Sequence, residues 1–180
     1  APLLISSVTA TAISYFLTGA EPMFPLATPE AFAVTRIPWY LVLGLVCGFV
    51  SLYFTRGMNS LERWFKHTFT SMWTKLIIGG LTLSILIYIF PPLYGEGYDV
   101  IRQLINGDSI SALENSPLEH NEWAAANDKW MLISYFVFII LFKIVASVAT
   151  NGAGGVGGIF APSLFMGAIT GFVTARLMNY

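Results

Sequence analysis

Charged side chains are spaced so that long stretches of the chain carry none. Residues 1–20 and 37–55 are charge-free, the second lying between Arg36 and Arg56. So are 76–95, between Lys75 and Glu96, and 144–175, the longest of the four and interrupted by glycines. Each of the first three is close to the roughly 20 apolar residues that carry a helix across about 30 Å of hydrocarbon. In lipid the backbone must satisfy its own hydrogen bonds, so the stretches predict helices and not strands. Three or four such helices in 180 residues weigh against the alternative of buried core helices in a soluble domain. The predicted elements are helices at about 2–19, 37–67, 72–90, 97–106, 127–150 and 158–178, with a polar extracytoplasmic loop at 107–126. The expected fold class is all-α, a set of polytopic membrane helices in one partial transmembrane domain over 1–180.

Composition agrees: 56% of residues are hydrophobic and 11% charged, against roughly 25% charged in a soluble domain. Too few polar side chains remain to cover a surface facing water. A net charge of −1 and the lack of a basic arm give no nucleic-acid signal. A single cysteine, Cys47, excludes an internal disulfide and reads as packing within an apolar run. No positively charged region precedes the first apolar stretch, so it does not read as a signal peptide. Both ends have the look of cuts inside a larger protein, and a fragment is expected.

Loop charge gives an orientation. Residues 56–75 hold Arg56, Arg63, Lys66 and Lys75 against Glu62, a net +3, whereas 96–128 hold seven acidic residues against Arg102, a net −6. The positive-inside rule places 56–75 in the cytoplasm and the acidic segment outside. Arg63, Trp64 and Lys66 then sit at the inner interface, Trp39 and Tyr40 at the outer one. Pro91-Pro92 stops the third helix, Gly95-Glu96-Gly97 makes a turn into a short helix, and Ser116-Pro117-Leu118-Glu119 fits a capping box. Gly44-x-x-x-Gly48 and Gly167-x-x-x-Gly171 would allow close helix approach.

Lys143 stands alone within Phe142-Lys143-Ile144-Val145. A charge there should face protein or a wet cavity. Two readings stay open: a contribution to the electrostatics of an anion path, or a structural pairing with a carboxylate or carbonyls.

The glycine-rich segment concentrates the candidate chemistry. Five of the seven residues from Gly152 to Gly158 are glycine, and 152–157 satisfies G-x-G-x-x-G. The dinucleotide reading fails, because a long apolar helix and not a strand precedes it and no acidic residue follows. No Walker A G-K-[ST] is present. Glycines instead break the helix and let backbone approach a ligand. A new apolar helix starts after Gly158, with Pro162 in its first turn, where a missing N–H costs nothing. The first amides of that helix lack intrahelical partners, and its dipole puts partial positive charge at the same end. A backbone break at membrane depth is tolerated only inside protein or along a cavity, and broken helices aiming their N-termini at anions are a transporter device. A plain glycine hinge between packed helices is the competing reading.

Gly158-Ile159-Phe160-Ala161-Pro162, continuing through Ser163-Leu164-Phe165-Met166-Gly167-Ala168, resembles the GIFxP motif of the CLC chloride channels and proton-coupled chloride transporters. The resemblance extends to residues 1–19, similar to the family's ninth helix near the dimer interface, and to 37–67, 72–90 and the 95–99 turn, in the second half of its inverted repeat. It implies a helix broken at the membrane midplane and an anion held by backbone amides of Gly158, Ile159, Phe160 and Ala161. Gly154, Gly155, Gly157 and Pro162 would support the motif. It further implies chloride as the transported ligand with no other cofactor, a lipid bilayer and a second copy of the parent protein as partners, and a bacterial inner membrane as location. Motifs like the family's GSGIP and GREGP are not found in this chain, so the isolated 180 residues are expected to give no chloride flux in liposomes. Channel and antiporter are not distinguished. A secondary transporter of another fold and a non-transporting assembly module are the alternatives. No enzyme is expected: His67 and His120 lack metal-ligand spacing, and no nucleophile–base pair is apparent.

Overall fold

The computed structural model describes residues 2–19, 24, 33–107 and 129–179. The Ser116–Glu119 capping box and residues 108–126 of the expected polar loop lie outside them. The described residues form helices and turns with no strand, and the chain divides into two units, Ala1–Glu30 and Ala31–Tyr180.

The first unit is one helix, α1 (Pro2–Thr18). Its apolar side chains are exposed, and Thr9 and Thr11 return their hydroxyl protons to the carbonyls of Ile5 and Ser7. Such back-bonding hides a hydroxyl's polarity on an otherwise apolar rod.

The second unit contains α2 (Ile37–Thr68), α3 (Met72–Ile89), α4 (Tyr98–Ile105), α5 (Lys129–Gly152) and α6 (Phe160–Met178). Four segments are long and apolar enough to cross a membrane: Val34–Thr68, Met72–Ile89, Trp130–Gly152 and Phe160–Met178. The protein is an integral membrane protein. α2 has 32 residues, about 48 Å at 1.5 Å per residue. That exceeds the hydrocarbon thickness, and the excess is the charged end: Lys66 pairs with Glu62 at 2.6 Å and the Arg63 Nε donates to the Asn59 carbonyl at 3.0 Å. α3 ends where Pro91 forces Phe90 out of helical geometry (φ −125°, ψ 81°). A single 3₁₀ turn, Pro91–Leu93, follows.

α5 is the centre of this unit and contacts α2, α3 and α6. Phe136 and Ile139 on α5 and Phe165 and Ile169 on α6 are fully buried. Between membrane helices, packing and small residues do the work that water-driven burial does elsewhere. The small residues at these crossings are Gly57, Gly79 and Gly152. A Cβ at Gly57 would lie 2.8 Å from Ile144, one at Gly79 2.8 Å from the Ala149 carbonyl oxygen, and one at Gly152 2.6 Å from the Phe65 ring. The two G-x-x-x-G pairs behave otherwise: Gly44, Gly48, Gly167 and Gly171 meet nothing within 4 Å among the described residues. Spacing marked none of the three close approaches, because which face of a helix meets a neighbour is decided by tertiary packing.

Candidate functional site

The glycine run does two separate jobs. The first is to end α5. Gly154 sits at φ +98°, the Gly155 amide donates to the Thr150 carbonyl at 2.9 Å, and the Gly154 amide donates to the Asn151 carbonyl at 3.3 Å. This pair of bonds is a Schellman motif, which satisfies carbonyls left over at a helix end. Gly155 also needs its lack of side chain, since a Cβ would lie 2.8 Å from the Thr150 carbonyl oxygen.

The second job falls to 156–158, which have no regular structure and lead into α6. Ile159 is the N-cap and carries no side-chain cap; the first bond of the helix runs from the Ser163 amide to the Ile159 carbonyl at 3.1 Å. Ser163 adds its hydroxyl to the same carbonyl at 2.7 Å. Among the described residues, the amides of Gly158, Ile159, Phe160 and Ala161 donate to no other group. Pro162 has no amide to leave unpaired. The helix thus begins with a cluster of free donors at its positive end, which attracts negative charge.

The segment that carries these donors lines a cavity of about 480 Å³. Its walls are Gly157–Pro162, the inner face of α5 at Lys143, Ser147 and Thr150, the turn Leu93–Glu96 with Tyr98, and Leu83 and Ile87 of α3. Six of the eight motif residues expected from the sequence, Gly157 through Pro162, therefore lie together on one wall. Gly154 and Gly155 do not; they cap the preceding helix. The side chains of Ile159 and Phe160 are exposed.

Sequence reasoning left the role of Lys143 open and missed its neighbours. Lys143 is 3% exposed. Its Nζ donates to the carbonyls of Leu93 and Gly95, both at 3.4 Å, and lies 4.5 Å from the centroid of the Phe165 ring. Among the described residues its partners are carbonyls and not a carboxylate. Phe165 is itself wedged against Gly97, which takes φ +79° at the start of α4; a Cβ there would overlap the ring. The turn 93–97, Lys143 and Phe165 form one clasp tying α4, α5 and α6 together beside the cavity. The Gly95-Glu96-Gly97 triplet was the visible half of this arrangement. Among the described residues no group of three His, Cys, Asp or Glu side chains could hold a metal.

The family model for the voltage gated chloride channel matches residues 1–180. The chain belongs to this family. Similar relatives include the chloride channel protein CLC-f of Arabidopsis thaliana, 28% identical over 96% of this chain and 20% of that protein. The putative chloride channel protein ClcB-like of Ralstonia nicotianae is 26% identical over 99% of this chain and 36% of its own length. The voltage-gated ClC-type chloride channel ClcB of Citrobacter koseri is 25% identical over 99% and 38%. The chain thus spans about a fifth to two-fifths of the length of these chloride channel relatives. No solved structure matches it at a significant level. The segment that resembled the family in sequence, Gly158–Pro162, lines the cavity.

Proposed function

We propose that the protein containing this chain moves chloride across a membrane, and that Gly158–Ala161 form one wall of its anion site. The observation that carries this reading is the set of unpartnered amides at the start of α6, opening on a cavity within a chain of this family. A halide needs charge-favouring donors in a setting short of water, and backbone amides at a helix N-terminus supply them with no cofactor. No bond chemistry is required, so the activity is transport and not catalysis. Chloride channels among the relatives support the choice of anion. α5, the 93–98 turn and α3 supply further walls, and the remainder of the protein covers the side on which the Ile159 and Phe160 side chains are exposed. A homodimer in a bacterial inner membrane, with the basic end of α2 on the cytoplasmic side, completes the proposal.

The test is anomalous scattering from bromide in crystals of the full-length protein. A peak within hydrogen-bond distance of the Ile159 and Phe160 amides is expected. Bromide bound elsewhere, or nowhere at saturating concentration, would refute the site.

A further inference from the structure

Lys143 is the only cation lining the cavity among the described residues, and the proposed anion site makes no direct use of it. Its surroundings compensate its charge poorly. Two carbonyl contacts at 3.4 Å are longer than the 2.7–3.2 Å of ordinary N–H···O bonds. The Phe165 ring face adds a modest attraction. No carboxylate pairs with it among the described residues. Glu96, also on the cavity, is exposed at the turn, where water screens it. A charge buried without an opposite charge is costly, and a second, mobile ion of opposite sign is one way to offset it.

We infer that Lys143 sets the strength with which the 158–161 amides hold a halide, acting through its field and not by contact; the inference rests on the anion site proposed above. Its Nζ is held by the Leu93 and Gly95 carbonyls and the Phe165 ring, so it stays in place when the ion leaves. The clasp fixes the Lys143 ammonium group beside the cavity that Gly157–Pro162 also line. The amides give direction and short contacts; Lys143 gives long-range attraction that every anion in the cavity feels. At a separation on the order of 10 Å and an effective dielectric of about 20, a unit charge changes anion affinity on the order of tenfold.

Three variants of the full-length protein separate charge from scaffolding. K143R keeps the charge, K143Q keeps a donor for the two carbonyls without the charge, and K143M keeps neither. Bromide affinity is measured by calorimetry on purified protein, and thermal stability is measured without halide. The field role predicts that K143R stays within about threefold of the unsubstituted protein and that K143Q and K143M both weaken binding on the order of tenfold. Halide-free stability should fall more for K143M than for K143Q. Should K143M fail to fold, K143Q against K143R carries the test. A folded K143Q that binds bromide as tightly as the unsubstituted protein would overturn the inference while leaving the amide site standing. Absence of bromide from the amides of the unsubstituted protein would remove both.

Discussion

Two of the helices that start without a side-chain cap, α3 and α6, differ in what their first residues line: the α6 start borders the cavity and the α3 start does not. α3 starts at Met72 after Ser71, whose hydroxyl makes no cap bond; α6 starts at Phe160 after Ile159, which has none to offer. Both therefore leave their first amides unpaired and both carry the same dipole. α3 follows the charged end of α2, among Arg63, Lys66 and Lys75, and its first large side chains, Met72 and Trp73, are exposed. α6 follows a glycine linker inside the longest charge-free stretch, with the cavity in front of its amides and the buried Phe165 just behind them. A helix N-terminus is thus no site by itself. What differs is the support behind it and the space before it.

The largest effect that would sharpen this contrast is expected at Phe165, the fully buried ring beneath Lys143 and against Gly97. Phe165→Ala removes the clasp's common surface and should cost about 3 kcal/mol, the low end for truncating a buried aromatic. Trp73→Ala, at an exposed position by the other helix start, should stay within about 0.5 kcal/mol. Denaturation of the full-length protein in mixed detergent checks both. Equal losses would show that the two starts are equally supported and would break the comparison.

A smaller effect is expected where α5 stops. Gly154 holds φ +98° in a Schellman motif, and a side chain in left-handed geometry costs about 1–2 kcal/mol. Gly154→Ala should lower stability by that amount in the same assay. A change under about 0.3 kcal/mol would mean that the linker relaxes freely and does not fix where α6 begins.

The fold was legible because charge and its absence are one-dimensional signals. Arg36, Arg56, Lys75 and Glu96 bracket apolar runs, and lipid leaves such runs only one regular structure. Pro91 and Gly154 mark their stops for local reasons of backbone geometry. The free amides at the start of α6 were legible for the same reason: they follow from a glycine break and a helix start a few residues apart. Lys143 was half legible. Its charge in an apolar run showed that it must face protein, but its partners lie about fifty residues earlier in the chain, on carbonyls that no side-chain pattern marks. Close approach went unnoticed at Gly57 and Gly79, because spacing fixes which residues share a face but not what that face meets.

The smallest expected stability change is the most selective. A Cβ at Gly158 would meet nothing within 4 Å, and its φ lies outside the left-handed region. Gly158→Ala should therefore fold within about 0.5 kcal/mol of the unsubstituted protein. The added methyl enters the space in front of the free amides, on the wall that lines the cavity. Bromide affinity of the full-length protein should fall while halide-free stability holds, and the thermal stabilisation given by saturating bromide should shrink with it, since ligand stabilisation follows affinity by mass action. Gly154→Ala should show the opposite pattern, a loss of stability with or without halide. If Gly158→Ala left bromide stabilisation untouched, the α6 start would offer its amides in another direction and would differ from the α3 start in packing alone.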